Sequence, residues 1–359
     1  MRVLRDGRGD MARRFVSPLI TLFLSLLLAL GAWRFFSWAL WHAVWTLPPG
    51  SNTDLCRAAL GHGACWAVIG EKFRFILFGF YPYAQQWRAA LVILCFVTLF
   101  ALSLSQRFWR PSLALIWGSG LVVIAILMWG GVFGLAFVPE DQWGGLPITL
   151  LLATLGLAFA FPLAILVALA RRAEGLPVIR WLAIAYVELI RGVPLISLLF
   201  MASVMLPLFL PNGWNIDKLL RAQLAFVLFA GAYLAEVVRA GLAALPRGQY
   251  EGAAALGLSY WQATRLIILP QALRHVIPML VNTFIGFFKD TSLVLIIGIF
   301  DLMTTGRTAT MEPAWQGFAN EVYLLLAAIY FGFCFTMARI SRRLEQRLSA
   351  PHHSIEEPA

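Results

Sequence analysis

The chain has 359 residues, of which 60% are hydrophobic and only 13% charged, with a formal net charge of +10. Soluble globular chains carry about a quarter charged residues, so this composition excludes a soluble domain and points to lipid. The arginines stand in short clusters beside apolar runs and form no continuous basic face, which excludes a nucleic-acid partner.

About 20 apolar residues cross ~30 Å of hydrocarbon, and eight such runs are expected, near 15–35, 89–106, 112–138, 147–170, 178–207, 221–244, 275–299 and 320–340. This pattern predicts an all-α membrane protein. With the N-terminus inside, the inner segments hold Arg2, Arg5, Arg8, Arg13 and Arg14, then Arg107 and Arg110, then Arg171, Arg172 and Arg180, then Arg247, Arg265 and Arg274, and finally Arg339, Arg342, Arg343 and Arg347. The outer segments hold fewer: Arg57, Lys72, Arg74 and Arg88, then Lys218 and Arg221, then Arg307. That asymmetry is the positive-inside pattern and places both termini in the cytoplasm. The first run, VSPLITLFLSLLLALGAW, follows positive charges as a secretory signal does. It is longer than a signal core and leads to no small-residue cleavage site, so it is expected to remain as an anchor.

The outer loop 48–88 carries Cys56 and Cys65 in CRAALGHGAC. On an oxidising face this pair either forms a disulfide or stays as two thiols that never meet. Cys95 and Cys334 fall within spans, where a thiol is a small apolar packer. His42, His62, His275, His352 and His353 have no metal-ligand spacing, and no His, Cys or carboxylate cluster has catalytic spacing, so neither a metal site nor an enzyme is expected.

The fifth and sixth runs contain AYVELIRGVP, with Glu188 and Arg191, and AYLAEVVRAG, with Glu236 and Arg239. In each, acid and base are three positions apart, share a helix face and can pair. A central charge costs ~2.5–3.5 kcal/mol on insertion scales, while a Leu or Val returns only ~0.3–0.6, so charges on these runs are expected to face the bundle interior, water or the membrane edge. They line a solute path or lock helices together; alternatively, Arg239 snorkels to the inner interface and Glu236 merely neutralises it.

Next comes Glu251 to Pro270, EGAAALGLSYWQATRLIILP. Glu251 to Leu256 suits a helix whose N-terminal dipole favours an acid, and Gly257 is free to take positive φ and turn the chain. Leu258, Trp261, Thr264 or Arg265, and Ile268 recur at helical spacing until Pro270, which is expected to bar an unbroken continuation. The product is a helix–turn–helix with exposed apolar residues, and its single base, Arg265, is too little for anionic lipid. A docking element is expected. The only lysines, Lys72, Lys218 and Lys289, lie in no G-K-[ST] context, so if ATP drives this protein another chain binds it.

The seventh run contains FFKDTSLV, with Lys289 and Asp290 in mid-span followed by Thr291 and Ser292. Neighbours point about 100° apart on a helix, so these two need separate partners or a local break, tolerated only inside protein or beside a water-filled cavity. A lining or gating element is expected there.

Together these segments resemble the membrane subunits of ABC importers for polar amino acids. The mark of that family is the EAA loop, E-A-A, three residues, G, nine residues, then I-x-L-P; Glu251, Ala253, Gly257, Leu258, Ile267, Leu269 and Pro270 stand in it, and Gly252 replaces the usual first Ala. That replacement weakens local helicity by ~1 kcal/mol. ELIRGVPL, GQYEGAAALG, PQALR and KDTSLV match in the same order, and GACWAVIGEKFRFILFGFYPYAQQWR resembles the extended N-terminal part of the shorter membrane subunit of general L-amino-acid systems.

The resemblance implies a type I ABC importer transmembrane fold. It comprises an N-terminal extension of three spans over 1–145, a five-helix core over 146–345 with a coupling loop at 246–272, and a cytoplasmic tail over 346–359. It also implies an inner-membrane location and no cofactor bound by this chain, with ATP and Mg in a partner ATPase. The implied partners are a second homologous permease subunit making a heterodimer, two ATP-binding subunits and a periplasmic amino-acid-binding protein. The rival from another class is a secondary transporter or channel without an ATPase, which favours an inverted repeat of broken helices; the similar AYxxE…R pairs in adjacent spans do not extend to whole halves.

Overall fold

The computed structural model describes residues 7–48, 53–105, 112–211, 213–214 and 216–349. Arg2, Arg5, Arg107, Arg110, His352 and His353 lie outside the described residues, as do the side chains of Arg8, Arg13, Arg14 and Arg347. In chain order the helices are α1 (Gly7–Phe36), α2 (Asp54–Ala59), α3 (Ala67–Phe78), α4 (Gln86–Leu104), α5 (Ser112–Trp129), α6 (Gly145–Ala170), α7 (Pro177–Gly192), α8 (Leu195–Phe200), α9 (Leu206–Phe209), α10 (Lys218–Ala244), α11 (Arg247–Ala255), α12 (Tyr260–Ala263), α13 (Leu269–Asp290), α14 (Leu302–Ala309) and α15 (Ala319–Ser349). Among the described residues, seven helical stretches are long and apolar enough to cross a membrane, and the bent pair α7 and α8–α9 passes the same test when its two parts are counted together. The fold is all-α, as composition demands.

Three runs depart from the expected spans, each for a local reason. The third does not reach 138: α5 stops at Trp129, and Gly130, Gly131 and Gly134 take φ of +71°, +74° and +75°. These left-handed positions fold the chain into turns closed by Gly131 N–H to Leu135 O at 2.8 Å and Val138 N–H to Trp129 O at 2.7 Å. The fifth, expected as one stretch over 178–207, bends by 103° between α7 and α8. Val193, held extended at φ −110°, ψ 133° before Pro194, breaks the helix there. The seventh starts earlier than 275, because Pro270 does not interrupt it: a π-helical turn over Thr264–Ile268 joins α12 to α13 and makes one 38-residue stretch, Tyr260–Ile297. In the wider turn the proline's missing N–H and its ring are accommodated without a stop.

Two compact units are distinguished. The first comprises residues 1–73 with 309–325. Its α1 is exposed along the length crossing the membrane, as a Leu-rich helix in lipid can be. Its loop lobe is built on a disulfide between Cys56 and Cys65, with Cα atoms 5.4 Å apart. Cys65 N–H donates to the buried Glu321 carboxylate at 2.8 Å, Trp66 Nε1 donates to Ala39 O at 2.6 Å, and Lys72 pairs with Glu312 at 2.6 Å. The segment 53–73 is thereby fastened to 309–321.

The second unit comprises residues 74–308 with 326–359. Its centre is α10, which packs along α6 and α13. Small residues make that approach close: Ala153, Ala160, Ala164 and Ala168 of α6 are buried with Gly156, as are Ala222, Ala225, Gly231, Ala235 and Gly241 of α10. A methyl group on Gly241 would stand 2.6 Å from Ala272 O of α13. Helices in lipid associate through such van der Waals fit, because tails are as apolar as leucine.

One end of this unit is closed by loops rich in backbone contacts. The nearly fully buried Arg88 donates to Leu127 O in the last turn of α5 at 2.7 Å and to Ala136 O in the loop that follows at 2.9 Å, and Tyr81 OH donates to Leu127 O at 3.0 Å. Gly145 N–H donates to Phe300 O at 2.8 Å, and Asp301 caps α14. The opposite end carries the α6–α7 connection and the segment from α11 to α12.

Candidate functional site

Two groups of residues at that opposite end have functional geometry: an elbow at the connection between α10 and the Tyr260–Ile297 stretch, and a charged network beside it.

The elbow begins earlier than expected. Pro246 precedes α11, which starts at Arg247, so Glu251 lies in the second turn rather than at the dipole end. The helix closes with a left-handed Gly257 at φ +69°, Gly257 N–H donating to Ala254 O at 2.9 Å and Leu258 N–H to Ala253 O at 3.2 Å. This paired closure satisfies the last carbonyls and needs a residue without Cβ strain. Ser259 then caps α12 in a reciprocal box with Gln262, at 2.9 and 3.4 Å. The short α11 thus meets the start of the Tyr260–Ile297 stretch through a turn closed on one side and capped on the other.

The elbow has an inner and an outer face. Ala253 and Ile268 are buried, while Glu251 and Gly252 are exposed. Leu256, Tyr260, Trp261 and Leu266 are 76%, 57%, 66% and 65% exposed, an apolar set running from the end of α11 into the first turns of the Tyr260–Ile297 stretch. On the other face, Gln249 accepts from Gln271 Nε2 at 3.0 Å, and Tyr250 OH accepts from Arg172 Nη1 at 2.7 Å while donating to Leu242 O at 3.0 Å. The Arg172 guanidinium also lies 5.2 Å from the Tyr250 ring centroid. The elbow is therefore tied to α6, α10 and α13.

The charged network differs from the expected one. Glu236 pairs with Arg239 on the same helix, as the spacing predicts. Glu188 does not pair with Arg191. Arg171, at the C-cap of α6, reaches across to both acids, with Nη1 2.5 Å from Glu236 Oε2 and Nη2 3.6 Å from Glu188 Oε1. Arg191 instead sits over the Tyr233 ring, 5.3 Å from its centroid. Arg171 thus holds Glu236 closely and Glu188, 66% exposed, only at the rim, so that the Glu236 carboxylate is shared by bases from two elements. Arg239 is 38% exposed and Arg171 13%, so the network is part-buried. Sequence reading missed Arg171, Arg172 and Tyr250 as members of one cluster; adjacent arginines closing an apolar run were the available signal, but they read equally well as topology markers.

Lys289 and Asp290 take the second of the two expected solutions, a local break. α13 ends at Asp290 and the chain tightens into a 3-10 helix over Thr291–Ile297, which ends at Gly298 with φ +70°. Thr291 is buried and its hydroxyl donates to Phe288 O at 2.8 Å; Ser292 donates to Lys289 O at 2.8 Å. Lys289 is exposed, and among the described residues no salt bridge joins it to an acid. The structure does not bring Lys289 and Asp290 into the Glu188–Arg171–Glu236–Arg239 network.

A polytopic helical bundle with charges inside its spans and a rigid, apolar-faced elbow at one end defines an integral-membrane permease. The chain belongs to the family of binding-protein-dependent transport system inner membrane components, which matches residues 160–350. It is 47% identical over 88% of its length to the inner membrane amino-acid ABC transporter permease protein YhdY of Escherichia coli (strain K12), covering 86% of that protein. It is 38% identical over 94% of its length to the glutamate/glutamine/aspartate/asparagine transport system permease protein BztC of Rhodobacter capsulatus, covering 92% of it. Among solved structures, a crystal structure of an amino acid ABC transporter with histidines matches 56% of this chain and 92% of its own, at 33% identity and a TM-score of 0.50. The protein is accordingly a multi-pass inner-membrane permease with an ABC-importer fold, a membrane component rather than an enzyme.

Proposed function

We propose that this chain is the permease subunit of an ATP-driven importer that moves L-amino acids from periplasm to cytoplasm by alternating access. The observation that carries the reading is the elbow from α11 to α12, capped at both helices, presenting Leu256, Tyr260, Trp261 and Leu266 outward while its other face is fastened to three spans. A helix transmits displacement, whereas a loose loop absorbs it. Glu251, Gly252, Ala253, Gly257, Leu258, Ile267, Leu269 and Pro270 form the seat for an ATP-binding partner, which holds the ATP and Mg.

The topology supports a cytoplasmic elbow. The elbow is the connection between the sixth and seventh apolar runs, which the positive-inside count of the sequence puts on the inner face. A disulfide belongs in the oxidising periplasm. The arginines Arg171, Arg172, Arg247 and Arg265 gather at the elbow's end, the cytoplasmic side by charge bias. Both termini are then cytoplasmic, with the loop 48–88 periplasmic, 1–145 an extension and 146–345 the working core.

Glu188, Arg191 and Lys289 are exposed on helices that cross the membrane, at a cost of ~2.5–3.5 kcal/mol for each charge if lipid surrounded it. They look instead onto water or a second, homologous permease subunit, and with Glu236, Arg239, Asp290, Thr291 and Ser292 they border the solute path. ATP closes the two ATP-binding subunits, the elbows move as levers, and the spans open outward to a solute-loaded binding protein. The amino-acid class, and the narrower reading as the shorter membrane subunit of a general L-amino-acid system, rest on similarity to the permeases named above and on the extended N-terminal part.

Co-purification followed by reconstitution in liposomes tests the proposal. An ATPase should accompany the chain, and uptake of radiolabelled L-amino acids should require ATP and a binding protein. Uptake by the isolated chain, driven by an ion gradient, would establish the secondary-transporter alternative.

A further inference from the structure

The C-terminal turn of α6 ends in two adjacent arginines whose side chains serve different elements. Consecutive helical residues point about 100° apart. Arg171 turns toward the membrane-level acids, 2.5 Å from Glu236 and 3.6 Å from Glu188. Arg172 turns toward the elbow, donating to Leu242 O at 2.8 Å and to Tyr250 OH at 2.7 Å. Tyr250 immediately precedes Glu251, the first residue of the proposed partner seat.

The bland explanation is that two cations sit at a helix C-terminus because its carbonyl dipoles attract them. The hydrogen bonds argue otherwise. Every bond formed by these two guanidinium groups goes to another element, α7, α10 or α11. Tyr250 OH closes the arrangement by donating to the same Leu242 carbonyl that Arg172 holds.

We infer that Arg172 and Tyr250 form the positioning link through which the elbow's displacement reaches the Glu188–Arg171–Glu236–Arg239 network. Motion of α11 pulls on Arg172 through Tyr250; Arg172 shares its backbone with Arg171, so the base clamping the two acids moves in concert. Neither residue need touch the solute or the ATP-binding partner. This inference rests on the permease reading above.

The test is a double-mutant cycle on the reconstituted complex, with Arg172→Lys, Tyr250→Phe and the double variant, read as L-amino acid imported per ATP hydrolysed. Arg172→Lys keeps the positive charge at the helix end, so a merely dipole-stabilising arginine predicts no change. Tyr250→Phe keeps the ring and removes only the hydroxyl. Each single variant is expected to lower the ratio about fivefold or more, the low end of coupling between linked sites. The double variant should fall no further, because both changes break one link. A wild-type ratio in either single variant, or losses that multiply in the double, would overturn the inference. Failure of the wild-type chain to recruit an ATPase would instead sink the permease reading and this inference with it.

Discussion

Arg171 and Glu236 lie 2.5 Å apart, Nη1 to Oε2, although 65 positions separate them in the chain. Glu236 accepts from Arg239 through its other oxygen, so this carboxylate is held by two bases on two helices. Glu236→Gln should therefore destabilise the protein by about 1–3 kcal/mol, the range for stranding a hydrogen-bonded partner away from water. Glu188, 66% exposed and 3.6 Å from Arg171, behaves as a surface pair, and Glu188→Gln should cost about 1 kcal/mol or less. Thermal melting of both variants in one detergent checks the order; equal shifts would contradict it.

The sequence contains four cysteines, of which the structure pairs Cys56 with Cys65 and leaves Cys95 and Cys334 free. Denatured protein should take up two equivalents of alkylating agent without reductant and four with it, as read by mass spectrometry. Replacing Cys56 and Cys65 together by Ser should weaken the lobe by about 2–4 kcal/mol. Faster proteolysis within 53–73 would report that loss.

Gly257 holds φ +69° with open space where a side chain would project, so a substitution there acts through the backbone alone. Gly257→Val should cost about 1–2 kcal/mol in the left-handed region, and Gly257→Asn less. With Glu251 replaced as well, ATP hydrolysis should become uncoupled from uptake while the spans stay folded. Wild-type coupling in that double variant would count against a lever role for the elbow.

Asp301 is fully buried and accepts from Thr304 N–H at 3.0 Å, Thr304 Oγ1 at 2.5 Å and Met303 N–H at 3.2 Å. Burial raises its carboxyl above the ordinary value of 3.8, and the hydrogen bonds from Thr304 and Met303 oppose that rise only in part. The native state thus holds this proton more tightly than the unfolded chain does. The resulting stabilisation is full below the unfolded value and is lost as pH rises through the raised native one. Melting curves from pH 3.8 upward should show wild type losing stability in that window, a slope absent from Asp301→Asn.

Much of the fold was legible because a bilayer imposes simple arithmetic. Long apolar runs had to be helices, since unpaired backbone groups are too costly in hydrocarbon; seven of the expected runs are single helical stretches and the fifth is the bent pair α7 and α8–α9. The limits of those runs were less legible. Gly130 and Gly131 end α5 through positive φ, which hydropathy does not register, and Pro270 passes through a helix because the preceding turn widens. At the site, Gly257 announced its own turn, since only its neighbours' backbone was needed to complete it. Glu188 announced no partner: i,i+3 spacing offered Arg191, yet α7 leans toward the end of α6.

The sequence by itself determined the solvent, the long apolar helices and the turn at Gly257, because each depends on composition or on residues within one or two helical turns. Only the tertiary structure decided that Arg171 and Arg172 face different elements and that one carboxylate serves two helices. Those pairings depend on where α6, α7, α10 and α11 end relative to one another, and helix ends are placed by small-residue packing along the whole bundle, a property no local stretch of chain contains.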